Sequence, residues 1–207
     1  MNDIDLDELH RTAREACEQV MASNHFAHHM SKASIEPWFA FELAAALDGK
    51  LGRVALVERG GSSRENKLGN IDVLLVVPEQ ARHERRLGAP PPPWDGSAIA
   101  IELKAAHLRD DEAKYRNALV SDLLEKPGKA LLAERQCKAW LGVLITTDGG
   151  WGPKVPGGEF RKRQKLMHEG TLPLAPGLEV VERSSRQPTY GEWKGTVWVE
   201  IIRKAIM

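Results

Sequence analysis

The sequence has few cysteines and no long hydrophobic run. Its 207 residues include two cysteines, Cys17 and Cys137, which are too few and too far apart for a disulfide framework. No apolar run reaches the ~20 residues that a membrane-spanning helix needs. The acidic start, MNDIDLDELH, has no hydrophobic segment of the kind found in signal peptides. These absences exclude a disulfide-stabilised scaffold, and we expect a cytoplasmic protein with no membrane association.

The chain also lacks a net charge, because 29 lysines and arginines balance 29 aspartates and glutamates. Taken alone, this balance argues against a nucleic-acid partner. The charges are unevenly placed, however, since the first predicted helix is acidic and residues 151–170 are basic. With 42% hydrophobic and 28% charged residues, the composition is that of an ordinary globular protein, and the length fits one domain over residues 1–207.

Hydrophobic periodicity predicts an α/β domain. Helical spacing at residues 5–22 predicts an N-terminal helix, and a second helix is expected from Ser34 to Gly49. The run IDVLLVV at residues 71–77 is nearly all apolar, so we expect it to be buried on both faces of a sheet. Four segments have the pattern of strands, at residues 52–59, 71–77, 97–106 and 139–146.

The remaining segments predict a mixed central sheet flanked by helices. One or two helices are expected between residues 110 and 138, which implies a crossover between the third and fourth strands. Residues 78–97 contain four successive prolines and are expected to form an exposed loop. From residue 148 onward we expect a basic loop and a β-rich C-terminal extension with strands at 178–183 and 196–202.

Charged residues occur in three segments where burial should exclude them. Glu42 is the only charged residue of the stretch WFAFELAAAL, and Asp72 lies within IDVLLVV. In AIAIELKAA, alternation places Glu102 and Lys104 on the same face of a strand, about 7 Å apart. Taken singly, each has an ordinary explanation, such as a capped turn, a solvated strand face or a helix edge in solvent.

Taken together, these charges indicate a shared cation. A buried and unpaired ion costs several kcal/mol, which is large against a total stability of roughly 5–15 kcal/mol. Carboxylates that converge on one metal ion avoid this cost, and carboxylate and carbonyl oxygens suit a hard ion such as Mg²⁺. A lysine beside them is suited to orient a water or a phosphate, as metal-assisted phosphodiester hydrolysis requires.

This constellation resembles the PD-(D/E)xK nuclease superfamily, which includes restriction endonucleases and repair nucleases. The resemblance covers residues 34–147 and implies a restriction-endonuclease-like core of order α-β-β-β-α-β. It implies that Asp72, Glu102 and the carbonyl of Leu103 bind Mg²⁺, for which Mn²⁺ substitutes. It also implies that Lys104 orients the attacking water and that Glu42 supports a second metal or a metal-bound water. Ile71 stands where the named motif has proline, and a long gap separates Asp72 from Glu102.

A basic segment near residue 160 is a candidate for contact with the DNA backbone. It contains Arg161, Lys162, Arg163 and Lys165, whose side chains are suited to bind phosphates. A solvated, charged helix start is the alternative interpretation.

The sequence therefore predicts a Mg²⁺-dependent DNA endonuclease, acting in restriction, repair or defence. One active site per chain would require a dimer or two sequential nicks to cut both strands, and a symmetric homodimer is the commonest such arrangement. Two alternatives stay open. The first is a catalytically weak nucleic-acid- or protein-binding module on the same fold, and the second is an unrelated hydrolase that uses a carboxylate pair as acid and base.

Overall fold

The computed structural model describes residues 5–30, 35–57, 72–78, 98–110, 123, 137–149, 157–170, 172, 176–190 and 193–204. The helices expected between residues 110 and 138 lie outside the described residues, except for Leu123. Nearly all of the expected proline-rich loop also lies outside them. Within the described residues, three helices are followed by eight strands and a fourth helix.

Three helices precede the sheet. Helix α1 (Leu6–Met21) begins after Asp5, whose side chain accepts a hydrogen bond from the Asp7 N–H at 2.9 Å and so caps the helix. Helix α2 (Phe26–Met30) is a short turn of helix, and α3 (Ile35–Leu47) follows it. The predicted bounds of α1 and α3 are confirmed to within two residues at each end. Helix α3 ends before Gly49, which adopts a φ of 74°.

The described residues contain eight strands, six of them in one sheet. In chain order they are β1 (Val54–Val57), β2 (Val73–Val76), β3 (Ile99–His107), β4 (Ala139–Thr147), β5 (Leu178–Arg186), β6 (Thr189–Tyr190), β7 (Trp193–Lys194) and β8 (Val197–Lys204). The sheet has the order β1-β2-β3-β4-β8-β5, and β6 pairs only with β7. Strands β3 and β4 are parallel and the other neighbours are antiparallel. The prediction of a mixed α/β sheet flanked by helices is thus confirmed, and the C-terminal strands extend that same sheet.

The expected basic loop after residue 148 contains a helix, which corrects the prediction. Helix α4 spans Gly157–Glu169. Two glycines at its start and a weak apolar pattern made this helix hard to predict from the sequence. The pattern is weak because few of its side chains are buried. Met167 is fully buried and Phe160 packs beside it against the sheet, so tertiary contacts stabilise the helix more than its propensity does.

The two faces of the sheet are covered by different helices. On the face that we call the α1/α3 face, α1 lies over β5 and β8, and α3 lies over β1 and β3. On the opposite face, the α4 face, Phe160 and Met167 of α4 pack against sheet residues. Strand β2 contributes to both cores and all four of its residues are buried, as predicted for the run at residues 71–77.

Candidate functional site

The structure brings Asp72 and Glu102 next to each other. Strands β2 and β3 are antiparallel with Val73 opposite Ile101, so the next position of the same register pairs Asp72 with Glu102. Residues that face each other across such a pair project from the same side of the sheet. Glu102 is only 7% exposed and Asp72 is partly buried. At the start of β2, two carboxylate residues therefore lie opposite each other, and Glu102 projects toward the α4 face.

Past the start of β2, side-chain carboxylates accept the N–H groups along this edge of β3. Three successive N–H groups on this edge of β3 each donate to a side-chain carboxylate: Leu103 to Asp72 at 2.7 Å, Ala105 to Glu36 at 2.7 Å and His107 to Asp110 at 3.1 Å. We call this stretch the carboxylate-capped edge. Because N–H groups at i and i+2 of a strand point the same way, the three bonds satisfy donors that β2 would otherwise have paired.

Glu36 is a site residue that the sequence analysis missed. Its Oε1 atom lies 3.3 Å from the Nζ atom of Lys104 and also accepts the Ala105 N–H. Both side chains are partly exposed, with 32% accessibility for Glu36 and 25% for Lys104. Glu36 lies in the first turn of α3, immediately before Pro37, and this helix-start position was the signal that could have found it.

Glu42 lies elsewhere, and the expectation that it is buried is wrong. Helix α3 buries Phe39 and Leu43, whereas Glu42 is exposed beside the half-exposed Phe41. Glu42 follows Glu36 by six residues, which places it about 240° further around the helix and about 9 Å further along its axis. The two side chains therefore cannot point to one site. Glu42 lies near His29 instead: burial lowers the pKa of His29, and the Glu42 carboxylate opposes that shift.

The donor set at this site fits a single divalent cation. Asp72 and Glu102 offer carboxylate oxygens, and the carbonyl of Leu103 belongs to the residue between Glu102 and Lys104 on the same strand. Oxygen donors of this kind are those that Mg²⁺ prefers. Among the described residues no group of three or more histidine, cysteine, aspartate or glutamate side chains could hold a metal, so the site depends on two side-chain carboxylates.

Of the four predicted phosphate-binding residues, Arg163 does not lie on the protein surface, which corrects its prediction. It is 6% exposed and donates to the carbonyl of Asp110 at 2.8 Å, and its Nε atom lies 3.2 Å from Glu159. Arg163 therefore ties α4 to the end of β3. The sequence does not distinguish the buried Arg163 from its exposed neighbours, because the four basic residues occur within five positions.

The other three basic residues of α4 lie on the surface. Arg161, Lys162 and Lys165 are exposed, and Lys165 lies 3.7 Å from Glu169 in an ordinary surface ion pair. They project from the helix that covers the same face of the sheet as Asp72 and Glu102.

A second charged pair on the α4 face also escaped the sequence analysis. Glu200 of β8 is 2% exposed, and its carboxylate accepts hydrogen bonds from the guanidinium of Arg183 on β5. Burial raises the pKa of Glu200, and Arg183 opposes the shift. Gly170, with a φ of 72°, leaves the room that Arg183 fills, because a Cβ there would lie 2.4 Å from the guanidinium.

In the part of the chain that the structure describes, no helix is long and apolar enough to span a membrane. The chain matches no protein-family model, no curated protein and no solved structure. A functional proposal for it therefore depends on its own residues and their geometry.

Proposed function

We propose that the protein is a metal-dependent nuclease that hydrolyses phosphodiester bonds in DNA on a restriction-endonuclease-like core. One observation carries the proposal. Asp72 and Glu102 occupy facing positions at the start of β2. Lys104 lies two residues further along β3, with its ammonium group beside Glu36. Two converging carboxylates and an adjacent lysine are the groups that metal-assisted attack of water on phosphorus requires.

Each residue has a separate task in this proposal. Asp72, Glu102 and the Leu103 carbonyl would hold Mg²⁺ or Mn²⁺, and the ion would supply Lewis-acid activation of water and stabilise charge on the phosphate. Lys104 donates hydrogen bonds to the attacking water or to a phosphate oxygen. Glu36 is a positioning residue, because its carboxylate holds the Lys104 ammonium at the edge of β3.

The surface of α4 supports DNA as the substrate. Arg161, Lys162 and Lys165 are exposed on the helix that covers the α4 face, and cationic side chains bind phosphates irrespective of base sequence. The zero net charge of the chain does not oppose this interpretation, since charges are separated along the chain and a bound cation would add positive charge at the site.

Plasmid cleavage tests the proposal directly. We expect the wild-type protein to nick or linearise supercoiled plasmid with Mg²⁺ or Mn²⁺, and Asp72→Ala and Lys104→Ala each to lose about 10²–10³-fold in rate, the effect of removing one group that stabilises charge in the transition state. Glu42→Gln is the matched control, because this exposed carboxylate should leave the rate unchanged. Cleavage that survives both substitutions at full rate would overturn the proposal.

One observation favours the second candidate, a binding module without catalysis. Asp72 and Glu36 accept N–H groups of β3, so both carboxylates also have a structural task that an inactive relative would retain. Calorimetric titration separates the candidates. A nuclease should bind Mn²⁺ in a manner that Glu102→Gln abolishes, whereas a binding module should show no Mn²⁺ binding that depends on Glu102.

A further inference from the structure

The neighbour of Glu102 on β4 is a glycine for a reason of space. Strands β3 and β4 pair Glu102 with Gly142. A Cβ at Gly142 would lie 3.1 Å and 3.2 Å from the Cη2 and Cζ2 atoms of Trp140 and 3.3 Å from the Cβ of Ile202. A Cβ at position 142 would therefore be tightly packed and would require its two neighbours to shift by a few tenths of an ångström, because the six-membered ring of Trp140 lies over this position.

Trp140 lies on the same face of the sheet as Glu102. Trp140 pairs with Ala100, and Ala100 alternates with Glu102 along β3, so all three project toward the α4 face. The indole is 92% buried, since 8% of Trp140 is exposed, and it reaches along β4 from Trp140 to Gly142. The ring thus lies on the β4 side of Glu102, opposite to the side on which Asp72 lies.

We propose that Trp140 is a positioning residue of the metal site, an inference that rests on the proposed nuclease function. Its indole fills the β4 side of Glu102 and directs the carboxylate toward Asp72. A side chain confined in this way loses less conformational freedom when it binds a ligand. An apolar wall also excludes water, which strengthens the attraction between a carboxylate and a cation.

The indole nitrogen supplies a conservative variant. Within the described part of the chain, the Nε1 atom of Trp140 is buried and has no hydrogen-bond partner. Packing on Gly142 therefore holds the ring, and Trp140→Phe retains an aromatic wall without breaking a hydrogen bond. Trp140→Ala removes the wall and leaves Glu102 free to turn away from Asp72.

Mn²⁺ binding to the full chain, followed by electron paramagnetic resonance, tests the inference. Residues that orient metal ligands typically change metal affinity about 10–100-fold, so we expect a loss of this size for Trp140→Ala and near wild-type affinity for Trp140→Phe. Unfolding curves without metal serve as the control for folding. Equal Mn²⁺ affinity in the wild type and a folded Trp140→Ala would overturn the inference and leave the nuclease proposal standing.

Terbium luminescence gives a second readout that does not need Trp140→Ala to fold. Tb³⁺ replaces hard divalent ions, and tryptophan sensitises its emission only at short range. We expect Trp140→Phe to lose most of the sensitised emission while Mn²⁺ still competes for the site. Undiminished emission would place the indole away from the metal and overturn the inference. If the wild type binds neither ion in a manner that depends on Glu102, the nuclease proposal itself fails, and the inference with it.

Discussion

The two faces of the central sheet differ in the kinds of residue that they bury. On the α1/α3 face, the buried sheet residues are aliphatic apart from Thr147 at the end of β4: Val73, Leu75, Ile99, Ile101, Leu103, Leu141, Val143, Ile145, Val197, Val199 and Ile201. On the α4 face, the same strands place Glu102, Lys104, Thr146 and Glu200 among apolar residues. The buried part of the α1/α3 face is thus almost entirely apolar, whereas the α4 face holds charged and polar groups.

The charges on the α4 face are supported by specific partners. Lys104 contacts Glu36, Glu200 contacts Arg183, and the backbone of Asp110 accepts from Arg163. Breaking a buried pair costs more than the pair contributes, because the remaining partner is left buried without compensation. The comparison therefore predicts that substitutions on the two faces fail for different reasons: lost packing on one, a lost charge partner or lost function on the other.

The largest effect is expected at Ile101, next to Glu102 but on the α1/α3 face. Ile101 is fully buried, so Ile101→Ala should lower the free energy of unfolding by about 4 kcal/mol, in the upper part of the range for such truncations. Glu102→Gln, one residue away, should change it by less than about 1 kcal/mol while reducing Mn²⁺ binding. Urea unfolding measures both, and equal losses of stability would erase the proposed difference between the faces.

A smaller loss is expected when the Glu200 pair is broken. Arg183→Met should cost about 3 kcal/mol, because it leaves Glu200 buried without its partner; Arg183 is 25% exposed, so water compensates part of the loss. The double variant Arg183→Met with Glu200→Leu should recover most of that stability, since two apolar groups then replace the pair. A double variant no more stable than Arg183→Met alone would contradict this explanation.

The smallest effect concerns pH. Burial raises the pKa of Glu200 above 4.5, so the folded protein keeps a proton that the unfolded chain has already lost. Stability contributed by Glu200 is therefore greatest at low pH and falls as pH rises through the folded pKa. The stability of the wild type minus that of Glu200→Gln should decrease as pH rises from about 4 and then level off. Urea unfolding at several pH values checks this, and a difference that grows with pH would contradict it.

The sequence predicted the sheet well because strand patterns record burial directly. The apolar run at residues 71–77 predicted that β2 is buried on both faces, and the alternation around Glu102 predicted that Glu102 and Lys104 share one face. Helix α4 was predicted only as an alternative to a basic loop, because its glycine-rich start and charged surface resemble a loop and its buried residues contact distant strands.

The helix glutamate could not be identified in the same way. Helix α3 is apolar on nearly every side, so its pattern does not reveal which face meets the sheet. Glu42 is conspicuous within that apolar run but is exposed, whereas Glu36 reaches Lys104 because the first turn of α3 lies at the edge of β3. Only the tertiary arrangement distinguishes the two.

The carboxylate-capped edge of β3 also bears on self-association. An unpaired strand edge is a template on which another chain can add a strand, and proteins protect such edges with charge. An incoming strand would have to displace Asp72, Glu36 and Asp110 from the amides that it needs. It would also bring its own carbonyl oxygens against three carboxylates. These three carboxylates, one of them the Asp72 of the proposed metal site, thus also keep this edge from growing into an intermolecular sheet.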